Sequence, residues 1–108
     1  MIEQIQEQIN KAKSILIISH INPDGDTLGS MCALKLEIGD KADMLIQTYP
    51  YPKTYEFLPE INKAKNFETI NNHYDLVITA DVAAPDRIIR QGRKVFEKAP
   101  VTINFDHH

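Results

Sequence analysis

The chain has 108 residues, one cysteine, and a formal net charge of −3 from 12 basic and 15 acidic side chains. That length makes one domain, large enough to bury roughly two-thirds of the surface its unfolded chain exposes. The mixed charges exclude a basic arm holding nucleic acid by bulk attraction, and the lone Cys32 excludes an internal disulfide.

No apolar run, residues 15–18 among them, approaches the ~20 residues of a membrane span, so no membrane partner is expected. Nothing near the N-terminus resembles a secretory leader, and the expected location is the cytoplasm. Ile2, Ile5, Ile9 and Ala12 follow helical spacing and predict an amphipathic first helix. Residues 14–19 form a short β-branched strand of the kind buried on both faces of a parallel sheet. Asn22-Pro23-Asp24-Gly25 reads as a turn, and Asp26 or Thr27 as the cap of a second helix ending at Gly39. A strand over 43–47 follows, then a loop containing Tyr49 and Tyr51, a helical turn over 54–58 and a short extended piece over 66–70. A third buried strand covers 75–80. A helix runs from Pro85 to about Gly92 or Phe96, and a last strand covers 101–105. Strands alternating with helices predict an α/β fold, a doubly wound, mainly parallel sheet flanked by helices.

Three of the strands end in groups that bind divalent cations. His20, Asp24 and Asp26 follow the first, Asp81 the third, and Asp106, His107 and His108 the last. Open parallel sheets place their ligand crevice at the carboxyl ends of the strands, which gathers these residues into one expected site. Taken singly they have ordinary readings: a turn, a helix cap, a strand-end histidine, an acidic loop. Together, four acids in one crevice would repel one another and have raised pKa values unless cations compensate them. Carboxylates and imidazoles without thiolate suit Mn²⁺, with Mg²⁺, Co²⁺ or Zn²⁺ as competitors, and disfavour closed structural zinc. The helix starting beside Gly29 and Ser30 would offer unpaired N–H groups to a phosphate.

Weaker candidates surround this set. Arg87, Arg90, Arg93 and Lys94 would grip a phosphate backbone or, more commonly, form a solvated helix face. Tyr49, Tyr51 and Tyr55 would stack a base or, by preference, pack the loop. Cys32 and the methionines read as core, and His73 as an exposed loop residue.

H-I-N-P-D-G-D-T-L-G-S at 20–30, D-V-A-A-P-D-R at 81–87 and D-H-H at 106–108 resemble, in order, the first three motifs of the DHH phosphoesterase family. The resemblance spans about Lys13 to His108. It implies two Mn²⁺ ions hydrolysing a phosphoester or phosphoanhydride bond, with His20 and Asp24 on one ion, Asp26 and His107 on the other, and Asp81 bridging both. It further implies that Asp106 orients its neighbours, and that His108 contacts the substrate phosphate or protonates the leaving oxygen. The Asn-Pro-Asp-Gly-Asp form is more similar to the RecJ and oligoribonuclease/pAp-phosphatase branch than to the inorganic pyrophosphatases. Nucleic acid or an oligonucleotide is therefore the expected substrate, hydrolysed with little sequence preference.

Relatives continue past D-H-H to a fourth acidic motif and a C-terminal substrate-binding domain, neither of which appears in these 108 residues. Residues 1–108 are thus expected to be the N-terminal part of a DHH catalytic domain, with the second ion held more weakly. A homodimer would cover apolar surface left open. The competing expectations are a nucleotide (pAp) phosphatase when joined to a C-terminal domain, and a non-catalytic nucleotide-binding fragment.

Overall fold

Every residue of Ile15–Ser19 (β1) is buried, so this strand needs neighbours on both edges and cover on both faces. A computed structural model supplies both; it describes residues 2–20, 23–47, 53–80 and 87–105. β1 pairs in parallel with Ala42–Leu45 (β2) on one side and with Leu76–Ala80 (β3) on the other, and β3 pairs in parallel with Val101–Phe105 (β4). The order is β2-β1-β3-β4. This is the doubly wound α/β sheet that the strand–helix alternation predicts.

Alternate side chains separate into two cores, as the two-residue period of a strand requires. Ile15, Ile17, Met44 and Ile78 meet Leu28, Met31 and Cys32 of the helix Gly25–Ile38 (α2), with Ile9 and Ala12 at the end of the first helix, Ile2–Lys11 (α1). Leu16, Ile18, Leu45 and Val77 meet Val95 of the helix Arg90–Lys98 (α3), together with Ile88, Ile70 and Tyr74. The β1→β2 and β3→β4 crossovers step in opposite directions across the sheet, and their helices lie on opposite faces. The two crossovers therefore share one hand, as parallel βαβ units require. Strand order reverses between β1 and β3, and that switch point fixes where a crevice opens.

α3 approaches the sheet closely because Gly92 has no side chain: a Cβ there would come within 2.9 Å of both Ile18 Cδ1 and Leu45 Cδ2. On α2 the buried stripe includes Lys35, only 5% exposed, whose stem lies in the core while Nζ reaches the Gly39 carbonyl at 3.1 Å. Leu36 faces outward instead. Gly39 closes the helix with φ 94, a backbone conformation that glycine adopts without steric cost.

Several boundaries differ from expectation for local reasons. α2 begins at Gly25 because Asp24, not Asp26 or Thr27, is its N-cap: Asp24 Oδ1 accepts the Thr27 N–H at 2.8 Å. β2 begins at Ala42 and ends at Leu45. Residues 66–70 turn rather than extend, since Asn66 Oδ1 takes the N–H groups of Glu68 and Thr69 at 2.9 and 3.1 Å. The extended contact falls one residue earlier, where Lys65 bridges Leu45. α3 starts at Arg90, after an extended Ile89, while the expected start at Pro85 lies outside the described residues. Among the described residues no helix is long and apolar enough to cross a membrane.

Candidate functional site

Parallel register brings three strand ends level. Ser19 of β1 pairs with Ala80 of β3, which pairs with Phe105 of β4. His20, Asp81 and Asp106 are each the next residue in the chain, one peptide bond beyond a paired strand end. The described strand ends Ser19, Ala80 and Phe105 thus lie side by side at the carboxyl edge of the sheet. Asp81, Asp106, His107 and His108 themselves lie outside the described residues.

His20, Asp24 and Asp26 are described. His20 is half-buried directly after β1, and Asp24 and Asp26 are exposed on either side of Gly25. The turn between the two carboxylates is held from two directions. Asp24 caps α2, and the half-buried Tyr55 covers Gly25 so closely that a Cβ there would sit 3.1 Å from its Cε1. A larger residue at this position would require the Tyr55 ring to give by a few tenths of an ångström. Tyr55 is thus a packing residue of the site's wall, as preferred from sequence; Tyr49 and Tyr51 lie outside the described residues.

Gly29 and Ser30 are half-buried in the second turn of α2, and a Cβ at Gly29 would meet nothing within 4 Å. Space beside the helix is therefore open at that position. Arg87 is exposed. In the rest of the basic run, Arg90 lies over the Phe67 ring at 5.7 Å and Arg93 pairs with Glu97 at 3.3 Å, which fits a solvated helix face with local partners. His73 is exposed beside Asp75, and Cys32 is buried, its thiol pushed up to about 11 by burial and then by the nearby Glu60 carboxylate.

Sequence reasoning misses Gln47. Its side chain is 6% exposed, and its Nε2 donates to the Ser19 carbonyl at 2.7 Å and the Arg87 carbonyl at 3.0 Å, while Oε1 accepts the Ile89 N–H at 2.8 Å. A glutamine closing an apolar strand carries no motif; only the tertiary fold shows which backbone groups it meets.

Among the described residues no group of three His, Cys, Asp or Glu side chains is gathered as a metal site. His20, Asp24 and Asp26 would accordingly need donors from Asp81 and His107 to complete one. Their donor chemistry, an imidazole and two carboxylates without thiolate, fits a hard or borderline divalent ion.

No curated protein matches this chain. Among solved structures, it resembles an exopolyphosphatase-related protein from Bacteroides fragilis, with a TM-score of 0.77 and 23% sequence identity over 99% of this chain. The match spans 34% of that structure's length, so this chain corresponds to about a third of it. At that identity the likeness shows the shared fold. The family model described as DHH family, N-terminal domain, matches residues 14–108, taking in all three strand-end clusters. On that match the chain belongs to the DHH family.

Proposed function

We propose that this chain carries the catalytic edge of a Mn²⁺-dependent phosphoesterase that hydrolyses phosphodiester bonds of nucleic acid or short oligonucleotides with little sequence preference. The observation supporting it most is the level register of Ser19, Ala80 and Phe105, each the last strand residue before one of the three motifs of a DHH sequence.

His20 and Asp24 would hold one ion, Asp26 and His107 the second, and Asp81 would join them. Bound there, the ions supply an activated water and neutralise charge on the phosphoryl oxygens. The chain's own residues do the rest. α2 starts at Gly25, so Gly29 and Ser30 lie past its unpaired first-turn N–H groups and do not offer the helix start expected from sequence. Gly29 instead leaves open space beside the helix where a phosphate can rest, and the exposed Arg87 offers a cation. Asp106 orients the neighbouring imidazoles. His108 gives a proton to the departing ester oxygen as water adds to phosphorus and the P–O bond breaks, leaving an alcohol and a phosphate monoester. Asp24 spends one oxygen on the Thr27 amide, which leaves it compatible with coordination because a carboxylate has about four acceptor sites.

The test is hydrolysis of single-stranded and double-stranded DNA, short RNA, 3′-phosphoadenosine 5′-phosphate and inorganic polyphosphate, each with Mn²⁺ and with chelator. Chelator-sensitive cleavage of the oligonucleotides is expected. Preference for the small nucleotide or polyphosphate would reassign the substrate, and metal uptake without turnover of any of them would leave a binding fragment.

A further inference from the structure

We infer that Gln47 is a positioning residue: its side-chain amide ties the exit of β1, which leads into His20, to the return of the connection that begins with Asp81. The inference rests on the phosphoesterase reading for what those two segments carry. β1–β2 pairing ends at Ile18 and Leu45, one rung short of Ser19. Gln47, two residues beyond β2, supplies the missing rung with its side chain by donating to the Ser19 carbonyl at 2.7 Å. The other N–H of the same amide goes to the Arg87 carbonyl at 3.0 Å and its oxygen takes the Ile89 N–H at 2.8 Å. Both donors and the acceptor of one buried amide thus serve backbone atoms on two different segments.

The consequence is geometric. Residues 81–86 connect Ala80, fixed in the sheet, to Arg87, fixed on Gln47, so both ends of the segment opening with Asp81 are anchored. The same amide anchors the strand end from which His20 departs. The junction it grips at Ile89 precedes Arg90, whose φ of 50 is unusual for a residue with a side chain and needs surroundings that hold it. An apolar residue of similar volume would fill the space yet leave three backbone groups, the buried Ser19 carbonyl among them, without these partners. A purely stabilising role and a positioning role make different predictions for metal binding.

The experiment compares the wild-type chain with Gln47→Met and Gln47→Leu, which keep approximate volume, and with Ile15→Val, a core truncation at the opposite end of β1. Mn²⁺ affinity is measured by calorimetric titration well below the unfolding midpoint, and amide exchange is followed at Ile89. Both Gln47 variants are expected to weaken Mn²⁺ binding at least tenfold and to speed Ile89 exchange at least tenfold, while Ile15→Val leaves both within twofold. Mn²⁺ affinity within twofold of wild type in a folded Gln47 variant overturns the inference and leaves the phosphoesterase reading standing. Failure of both Gln47 variants to fold also overturns it, because Gln47 would then serve stability. A wild-type chain that takes up no Mn²⁺ sinks the phosphoesterase reading itself; Ile89 exchange then decides the tie alone, and exchange unchanged in the variants overturns it.

Discussion

Asp24 caps α2 through the Thr27 amide and, in the proposed reading, also holds a metal ion. The two roles separate chemically. Asparagine caps a helix about as well as aspartate, whereas removing the cap with alanine costs about 1 kcal/mol. Asp24→Asn is therefore expected to keep the unfolding free energy within about 0.5 kcal/mol of wild type while losing most Mn²⁺-dependent hydrolysis; Asp24→Ala should lose both. Urea unfolding beside an activity assay checks this, and full activity in Asp24→Asn would confine the residue to capping. Glycines divide in a similar way. Gly29 sits inside a helix with open space around it, so Gly29→Ala should raise stability by roughly 0.5–1 kcal/mol. If a phosphate uses that space, the same variant weakens substrate binding while stabilising the fold. Gly92 is the opposite case: with two terminal methyls 2.9 Å from its virtual Cβ, Gly92→Val is expected to cost about 1–3 kcal/mol by overpacking.

α2 shows how an element couples burial to titration. Cys32 lies on its core face, and burial followed by the Glu60 carboxylate lifts the thiol from 9.0 to about 11. A group whose folded pKa is raised contributes stability that is fully present below its unfolded pKa and is lost as pH climbs through the folded value. The decline should thus fall between pH 9 and about 11, with a contribution on the order of 2 kcal/mol. Tyr74 reinforces the trend, its phenol being raised by burial and by its 2.6 Å bond to Asp43. Urea midpoints measured from pH 7 to 11 should fall more steeply in the wild type than in Cys32→Ala; identical slopes would refute the assignment. This element also shows what the sequence made legible. Met31 and Cys32, read as core, are buried, since a 3.6-residue period is written directly in the chain, whereas Leu36, apolar on the same helix, is exposed. The same reasoning did not foresee that Asp24 would cap the helix or that Lys35 would enter the buried stripe. Competition among Asp24, Asp26 and Thr27 for one cap is decided by backbone geometry, and burial of a lysine stem by a carbonyl within reach. The turn at Asn66 and the late start of α3 were hidden for the same reason: each depends on a particular side-chain bond, one local and one arriving from Gln47.

Over the whole molecule, the all-parallel order β2-β1-β3-β4 levels the strand ends and places the direction switch between β1 and β3, next to His20 and the start of the segment at Asp81. The buried strands and their sequence of crossovers were readable because β-branched runs and helical periods alternate along the chain. The meeting of the strand ends was readable only through the general rule for open parallel sheets, and the tie through Gln47 was not. A site assembled from separate strands links metal binding to folding, because the unfolded chain cannot bring those donors together. A ligand that binds only the folded state stabilises it by RT ln(1 + [L]/Kd), about 2.7 kcal/mol at a concentration one hundred times Kd. For a domain of this size that corresponds to a rise of roughly 10–20 °C in Tm. Saturating Mn²⁺ is accordingly expected to raise the melting midpoint of the wild-type chain and chelator to reverse it. In the proposed reading Asp81 would be shared by both ions and Asp26 would hold one, so Asp81→Ala should abolish most of the rise and Asp26→Ala should leave a smaller part of it. A midpoint indifferent to Mn²⁺ in the wild type would mean that the acids at this edge do not act together on a cation, and the hydrolytic reading would lose its physical basis.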